Sequence, residues 1–293
     1  MTMLHLRPIA ATSAAGTISS EPGTRTAATP GGRISPATRW LAAAIILFLA
    51  DAAQILLLTP DRTGELFAWR IDTQVSSMVL GAAYVAGGYY FVRVVMADAW
   101  QRVAAGLPAV IVFVWLAAAS TALHLDRFSH GTLAFAAWAA IYAIAPFGLP
   151  VLLLAQRRAV RFALPDAPLG SRLRIVMSAA GGGVTLAAAL AFALPEVTID
   201  LWPWALTPLT ARIVATVMAL FGSLWVSVAL HRGRIAARIP LEAHAIGLAF
   251  LLLAAVRGHG DLDWTNPLAA ILVAGVAGFL VTDIAVLART RRA

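Results

Sequence analysis

Eight long apolar segments constrain this chain more than any other feature of its sequence. They lie at about 40–58, 78–97, 104–123, 132–155, 173–194, 210–230, 241–256 and 267–287. Most of them approach the roughly 20 apolar residues that a helix needs to cross the hydrocarbon core of a bilayer. Backbone groups in lipid must be satisfied internally, and unbroken apolar runs favour helices over the alternating strands of a barrel. The sequence therefore predicts an all-α integral membrane protein with eight transmembrane helices.

The composition agrees with lipid as the solvent for most of the chain. The 293 residues are 60% hydrophobic and only 12% charged, which is about half the charged fraction of a soluble domain. Cysteine is absent, which excludes a disulfide framework, a zinc–thiolate site and an iron–sulfur cluster. Lysine is also absent, so the chain can form neither a Schiff base nor a Walker-type phosphate site. We expect no cofactor.

Arginine marks one side of the predicted membrane protein. Four arginines precede the first span; two, five and three occupy the connections after the second, fourth and sixth spans; three follow the last span. The positive-inside tendency assigns that side to the cytoplasm. Both chain ends are therefore predicted to be cytoplasmic, with the spans in the plasma (inner) membrane. The net charge of +8 then reflects contact with the cytoplasmic leaflet rather than nucleic-acid binding.

An internal repeat at a spacing of 135 residues relates the two halves of the chain. It aligns, without a gap, Pro60 with Pro195, Trp69 with Trp204, His124 with His259 and Asp126 with Asp261. Four spans return a chain to its starting side, so we expect two tandem four-helix repeats, 39–160 and 172–289, in the same orientation about a pseudo-twofold axis along the membrane normal. The alternative is convergence, because Trp and Pro are favoured at membrane interfaces. Residues 1–38 are predicted to be a disordered cytosolic tail.

The repeat brings three kinds of segment to the extracytoplasmic side. They are FAWRID (67–72), LWPWALTPLTAR (201–212) and two His-x-Asp turns at 124–126 and 259–261. LWPWALTPLTAR, together with FAWRIDTQVSSMVLGAAY (67–84) and HLDRF (124–128), resembles a group of multi-pass membrane proteins common in actinobacteria. The resemblance covers most of the spans but not the N-terminal tail. It implies a membrane placement and brings no activity with it.

Candidate ligand residues lie on this outer side and in the first span. Asp51 is near the middle of that span, where an ionised carboxylate costs at least ~2.5 kcal/mol. We expect Asp51 to face a partner, a cavity or water, or to be protonated, with Gln54 one turn away on nearly the same face. The other ligand-binding candidates are Trp69, Trp202, Trp204, Arg212, His124, Asp126, His259 and Asp261. Each has a structural alternative: interfacial anchoring for the tryptophans, an ion pair with Asp200 or Glu196 for Arg212, and a polar turn for the His-x-Asp segments.

A metal site is only weakly indicated. Its candidates are His124, Asp126 and His130, because imidazole and carboxylate groups bind divalent metals. Their spacing matches no known ligand motif, and a turn in which Asp126 pairs with Arg127 is the favoured interpretation. The sequence contains no nucleophile elbow, phosphate loop or haem-attachment motif.

Three classes of function remain open from the sequence. The first is binding or translocation of a small apolar or lipid-like ligand at a site facing the extracytoplasmic side. The second is a non-catalytic scaffold that packs against a membrane protein partner. The third, less favoured, is a membrane enzyme that uses Asp51 or the His/Asp turns, since these residues form no recognised catalytic set.

Overall fold

The computed structural model describes residues 32–159 and 164–291, and this part of the chain is built from helices. They are α1 (Pro36–Leu58), α2 (Thr63–Leu66), α3 (Gln74–Met96), α4 (Leu107–Leu123), α5 (Leu133–Ala159), α6 (Ser171–Ala193), α7 (Pro195–Leu201), α8 (Pro208–His231), α9 (Arg234–Arg257) and α10 (Pro267–Arg291). Seven of these described helices, α1, α3, α5, α6, α8, α9 and α10, are long and apolar enough to cross a membrane. Helix α4 is apolar but has 17 residues. The all-α membrane class is therefore confirmed.

Two helices begin with the same capping arrangement. Ser35 precedes Pro36 at the start of α1, and its hydroxyl accepts a hydrogen bond from the amide three residues later (3.2 Å). Thr207 caps the amide of Thr210 at the start of α8 (3.2 Å), again with proline in the first turn. A hydroxyl cap followed by proline is a strong helix start. Helix α1 thus begins inside the segment predicted as a tail, and the prediction for 1–31 lies outside the described residues.

Long helices that follow one another along the chain run in opposite directions, which gives the bundle two distinct ends. At one end Arg39 of α1 donates to the carbonyl oxygens of Val95 and Ala97 (2.8 Å to the latter), where α3 finishes. At the other end Ser77 of α3 donates to the carbonyl oxygen of Leu56 in α1 (3.0 Å). We call the end with Arg39, Arg93, Arg102, Arg234 and Arg238 the arginine-rich end, and the end with Trp69, Trp202 and Trp204 the aromatic end. Helix α1 starts and α10 finishes at the arginine-rich end.

Helix packing follows one pattern twice. Helix α1 packs on α3 as α6 packs on α8; α3 packs on α9 as α4 packs on α8; and α4 packs on α5 as α9 packs on α10. Helices α3 and α8 also touch each other at the centre of the bundle. They are the most deeply buried of the long helices, whereas α6 and α10 lie at the periphery.

Two glycines allow α6 and α8 to approach closely. A Cβ atom added to Gly181 would lie 2.6 Å from the carbonyl oxygen of Gly222, and one added to Gly222 would lie 2.7 Å from the hydroxyl of Thr185. Any side chain at either position would force the helices apart. Small residues at such crossings are the usual means by which membrane helices pack backbone to backbone.

Candidate functional site

The segment between α7 and α8 carries two tryptophans at the aromatic end. Trp202 precedes Pro203, which restricts it to an extended backbone conformation (φ −77°, ψ 142°). The amide of Asp263 donates to the carbonyl oxygen of Pro203 (2.7 Å), and Nδ2 of Asn266 donates to that of Leu201 (3.0 Å). These bonds fix the segment to the connection between α9 and α10.

The two indole rings differ in their hydrogen bonding. Nε1 of Trp204 donates to Oγ of Ser76 at the start of α3 (2.8 Å). Trp202 packs edge-on against Trp204, with ring centroids 5.1 Å apart. Its own Nε1 is buried and has no hydrogen-bond partner among the described residues. Buried indole N–H groups are normally paired. Among the described residues, Trp69 and Trp100 also have an unpaired buried N–H, but of these three tryptophans only Trp202 lines the cavity described next.

A cavity of about 290 Å³ lies beside Trp202 and Trp204, among α3, α8, α9 and α10. Its walls include Val79 of α3, Val214 and Phe221 of α8, Leu251 of α9 and Val276 of α10, with Trp202 and Trp204 at the aromatic end. Ile271 and Gly275 of α10 line the cavity and are also exposed, so it opens sideways between helices. An apolar cavity of ~150 Å³ accommodates benzene. This cavity therefore has room for a larger apolar group.

Helix α5 of the first half carries bulky aromatic side chains at positions that a shift of 135 residues places on smaller residues of α10. Trp138 of α5 is 1% exposed, and its ring centroid lies 4.8 Å from that of Trp69 and 4.3 Å from that of Tyr142. A shift of 135 positions replaces Trp138 and Tyr142 by Val273 and Ala277. The smaller residues leave space between α10 and the rest of the second half.

The two His-x-Asp turns each contact the other half of the bundle, through different residues. Nη1 of Arg212 in α8 donates to Nε2 of His124 in the first turn (2.6 Å). The carboxylate of Asp261 in the second turn accepts the amide of Val75 at the start of α3 (3.0 Å). Desolvation and the nearby Arg212 lower the pKa of His124. Each turn thus anchors the beginning of a central helix from the opposite half.

Arg212 makes two contacts with Phe192 besides its hydrogen bond to His124. Its Nε donates to the carbonyl oxygen of Phe192 at the end of α6 (3.2 Å), and its guanidinium lies 5.8 Å from the centroid of the Phe192 ring. With Nη1 bound to the His124 ring, Arg212 joins α6, α8 and the first turn. The structural alternative of an ion pair with Asp200 or Glu196 is not among these contacts, and a ligand-binding role for Arg212 stays a prediction.

The weakly indicated metal ligands each make a separate contact. Asp126 pairs with Arg127 (3.2 Å), and both side chains are exposed. The ring of His130 hydrogen-bonds to the carbonyl oxygen of Leu125 (2.8 Å), and His259 is exposed. Within residues 32–159 and 164–291, no three His, Cys, Asp or Glu side chains are grouped so that they could hold a metal ion.

The remaining predicted residues lie away from the cavity. Asp51 and Gln54 are exposed on the face of α1 that points away from the bundle. Trp69 is 2% exposed and packs against Phe67 and Phe128, with ring centroids 4.8 and 5.2 Å away. None of the three lines the cavity beside Trp202. Their role in ligand binding stays a prediction.

A buried polar cluster that the sequence did not predict joins α8, α9 and α10. Asp283 and His244 are each 1% exposed. Oδ2 of Asp283 is 2.5 Å from Nδ1 of His244, and Oδ1 accepts Nε1 of Trp225 (2.9 Å). Nε2 of His244 is 3.2 Å from the carbonyl oxygen of Phe221. Both ring nitrogens of His244 therefore face oxygen atoms, one of the Asp283 carboxylate and one of a backbone carbonyl.

The sequence signal that could have identified this pair is the similar distance of the two residues from the same end of the bundle. His244 and Asp283 each lie about two to three turns from the arginine-rich end of their helix. An ionisable group at this depth in lipid needs a partner at the same depth on a neighbouring helix. His244 also lines a second, smaller apolar cavity of about 90 Å³ together with Tyr84 and Tyr142.

The antiparallel apolar helices and their internal polar pairs define the class of protein. It is an all-helical membrane protein with multiple helices of membrane-spanning length. Comparison with protein-family models, curated proteins and solved structures found no match.

Proposed function

We propose that the protein binds or translocates a small apolar or lipid-like ligand in the cavity beside Trp202 and Trp204. One observation carries this proposal: an apolar cavity of about 290 Å³ is bordered by a tryptophan whose buried N–H has no partner. The apolar walls favour burial of hydrocarbon by about 25 cal/mol per Å². The free N–H favours a ligand with one hydrogen-bond acceptor, such as an ester, carbonyl or hydroxyl oxygen.

The membrane arrangement that we propose has eight crossings. Helix α4 alone spans about 25 Å, somewhat less than the ~30 Å hydrocarbon core. Single 3₁₀ turns at Trp100–Arg102 and Leu125–Arg127 flank it, and it packs between α5 and α8. The positive-inside tendency places the arginine-rich end, with both chain ends, in the cytoplasm beneath the plasma membrane. The tryptophan-bordered end of the cavity then faces the extracytoplasmic side.

We further propose that the halves 39–160 and 172–289 are tandem repeats in the same orientation. The reciprocal helix pairings support this arrangement. So do two equivalent ring pairs: Phe67 with Trp69, and Trp202 with Trp204, have centroid separations of 4.8 and 5.1 Å. Helix α10 then occupies the position of α5 without its bulky aromatic residues. The cavity is accordingly a specialisation of the second half.

The first test examines the hydrogen bond to the ligand. Purified protein in detergent is unfolded thermally with an n-alkane or a 1-alkanol of equal chain length, and far-UV circular dichroism follows the helices. We expect the alkanol to stabilise more strongly, because its oxygen accepts the indole N–H. Trp202→Phe should abolish the difference, whereas Trp264→Phe should retain it, since Trp264 is exposed and lies outside the cavity lining.

The second test fills the cavity. Val276→Phe places a larger ring at its α10 wall, and Val281→Phe makes the same change at a position of α10 that is 66% exposed. A ligand at 100 times its dissociation constant stabilises by about 2.7 kcal/mol. We expect that stabilisation to disappear in Val276→Phe and to survive in Val281→Phe. Equal responses of the two variants would refute binding in this cavity.

A partner subunit is the second candidate function, and the exposure of Asp51 and Gln54 favours it. Polar side chains that face lipid are expensive, and hydrogen bonds to a helix of another protein satisfy them. The chain lacks cysteine, so Gln54→Cys supplies a single crosslinking position in native membranes. One dominant protein adduct would support a partner, and lipid adducts alone would speak against it. The catalytic alternative gains no support, because Asp51 is exposed on α1 whereas the His-x-Asp turns bind a guanidinium group and a backbone amide at the aromatic end.

A further inference from the structure

Four arginines converge on one pocket at the arginine-rich end. The pocket measures about 210 Å³, lies between the end of α3 and the start of α9, and is lined by Arg93, Arg102, Arg234 and Arg238. Glu242 and Asp98 are the carboxylates that pair with these arginines. The guanidinium groups therefore outnumber their paired carboxylates by two. An excess of this kind attracts an anion.

Glu242 holds two of the arginines in place. Its Oε1 accepts Nε of Arg238 (3.0 Å), and its Oε2 accepts both Nη1 of Arg93 and the hydroxyl of Tyr89 (2.8 Å for the hydroxyl). The Glu242 side chain is only 12% exposed. Each guanidinium has five N–H donors, so both arginines keep donors that Glu242 does not use. Their positions are fixed before any anion arrives.

The other two arginines are less engaged. Arg102 donates through Nε to Asp98 (2.8 Å). Arg234 is half-buried, and the structure gives its side chain no partner among the described residues. Asp166 already accepts the amides of Ile235 and Ala236 in the first turn of α9 (2.8 and 3.3 Å). The donors left for an anion are therefore guanidinium groups rather than backbone amides.

We propose that this arginine pocket binds a terminal phosphate dianion, supplied as free phosphate or as the headgroup of phosphatidic acid. A guanidinium matches phosphate oxygens with two parallel hydrogen bonds. A phosphate monoester carries nearly two negative charges at neutral pH, which equals the excess in the pocket. Basic pockets between helices near the cytoplasmic surface are suited to anionic headgroups. This site lies at the opposite end of the bundle from the tryptophan-bordered cavity and does not depend on the function proposed there.

The test pairs two arginine variants of the full chain. Arg234→Gln removes the guanidinium without a partner, and Arg172→Gln removes an exposed arginine at the same end of the bundle but outside the pocket lining. Thermal unfolding is measured in neutral detergent with inorganic phosphate or chloride at equal ionic strength. It is then repeated in nanodiscs of phosphatidylcholine alone, with phosphatidic acid, or with phosphatidylglycerol. Losing one charged hydrogen-bonding group should weaken phosphate binding about tenfold or more.

Each outcome separates the possibilities. Stabilisation by inorganic phosphate that Arg234→Gln weakens and Arg172→Gln preserves supports a free phosphate ligand. The same pattern with phosphatidic acid only supports a lipid headgroup. The proposal is overturned if neither inorganic phosphate nor phosphatidic acid stabilises the wild type. It is also overturned if phosphatidylglycerol stabilises as strongly as phosphatidic acid, or if the two variants are stabilised equally. Should Arg234→Gln not fold, Arg102→Gln replaces it, because the side chain of Arg102 is 44% exposed.

Discussion

Replacing Asp283 by alanine tests whether the buried His–Asp pair fastens α10 to α8 and α9. The wild-type carboxylate accepts a hydrogen bond from Trp225 and is hydrogen-bonded to His244. Alanine removes both oxygens and leaves the indole N–H and the imidazole Nδ1 unpaired at a site that is sealed from water. Asparagine keeps an oxygen for Trp225 and supplies an N–H for neutral His244, whose Nε2–H then donates to the carbonyl oxygen of Phe221. The two substitutions therefore differ in hydrogen bonding and in side-chain volume, which asparagine retains and alanine does not.

The expected effects follow from the two bonds involved. Hydrogen bonds between membrane helices contribute about 0.6 kcal/mol on average and up to about 1.7. A buried donor left unpaired costs about 1–3 kcal/mol. For Asp283→Ala we expect the free energy of unfolding to fall by about 2–5 kcal/mol, because two bonds are lost and two ring nitrogens are stranded. For Asp283→Asn we expect about 1 kcal/mol or less, since both contacts can re-form.

The free energies of unfolding of the two Asp283 variants are measured in mixed micelles with a rising mole fraction of dodecyl sulfate. Far-UV circular dichroism reports the helix content. Removing His244 as well as Asp283 should cost less than the sum of the two single alanine changes, because the residues share one bond. Equal stability of Asp283→Ala and Asp283→Asn would refute the reasoning. It would show that neither the hydrogen bonds of Asp283 nor the volume of its side chain holds α10 in place.

Three further perturbations test the aromatic end and α1. His124→Gln should flatten the dependence of the melting temperature on pH. The lowered pKa of His124 means that the fold favours the neutral ring, which is bound to Arg212. The stability that His124 contributes is therefore fully present above the ordinary pKa of 6.5 and is lost as the pH falls through the lowered pKa. Asp261→Ala should cost about 1 kcal/mol, as for a lost helix cap, whereas Asp126→Ala, at an exposed carboxylate, should cost almost nothing in the same micelle assay. Asp51→Leu should not lower stability in nanodiscs, because an acid exposed at the bilayer centre costs about 2.5–3.5 kcal/mol; a clear loss would reveal a partner for Asp51 within the chain.

The apolar pattern located most of the long helices to within a few residues, including the buried α8, and was furthest off at the start of α9. The predicted segments 40–58 and 267–287 nearly coincide with α1 and α10, which are among the more exposed helices. Helix α9 was predicted from 241 but begins at Arg234. Arg234, Arg238 and Glu242 lower the hydropathy of its first turns, although these charges face a pocket and one another. Hydropathy along a chain cannot register pairing between elements.

The tryptophans of the candidate site could be predicted, but the cavity could not. Trp204 stood out because it aligns with Trp69 in the 135-residue register, and Trp202 because it lies beside Trp204 and aligns with the aromatic Phe67. A cavity, in contrast, exists where side chains fail to fill the space between helices. Its origin is visible in the exchange of Trp138 for Val273, but the consequence depends on how far α10 stands from α8. That distance is set by contacts such as those of Asp283, which no local pattern reveals.

Helix α10 is held by hydrogen bonds near both of its ends and borders the cavity with its middle turns. Its stability is therefore the property that a ligand in the cavity would most affect. Asn266 bonds the segment before its first turn to the end of α7, and Asp283 bonds it to α8 and α9 closer to the arginine-rich end. Between these points Gly275 and Val276 line the cavity. Tyr142 supplies α5 with a central hydrogen bond to α3 (2.9 Å), and the middle of α10 has alanine at the matching position. A ligand in the cavity supplies the missing contact, so its binding energy opposes local opening of α10. Amide exchange in the middle turns of this helix therefore reports occupancy before the ligand itself is identified.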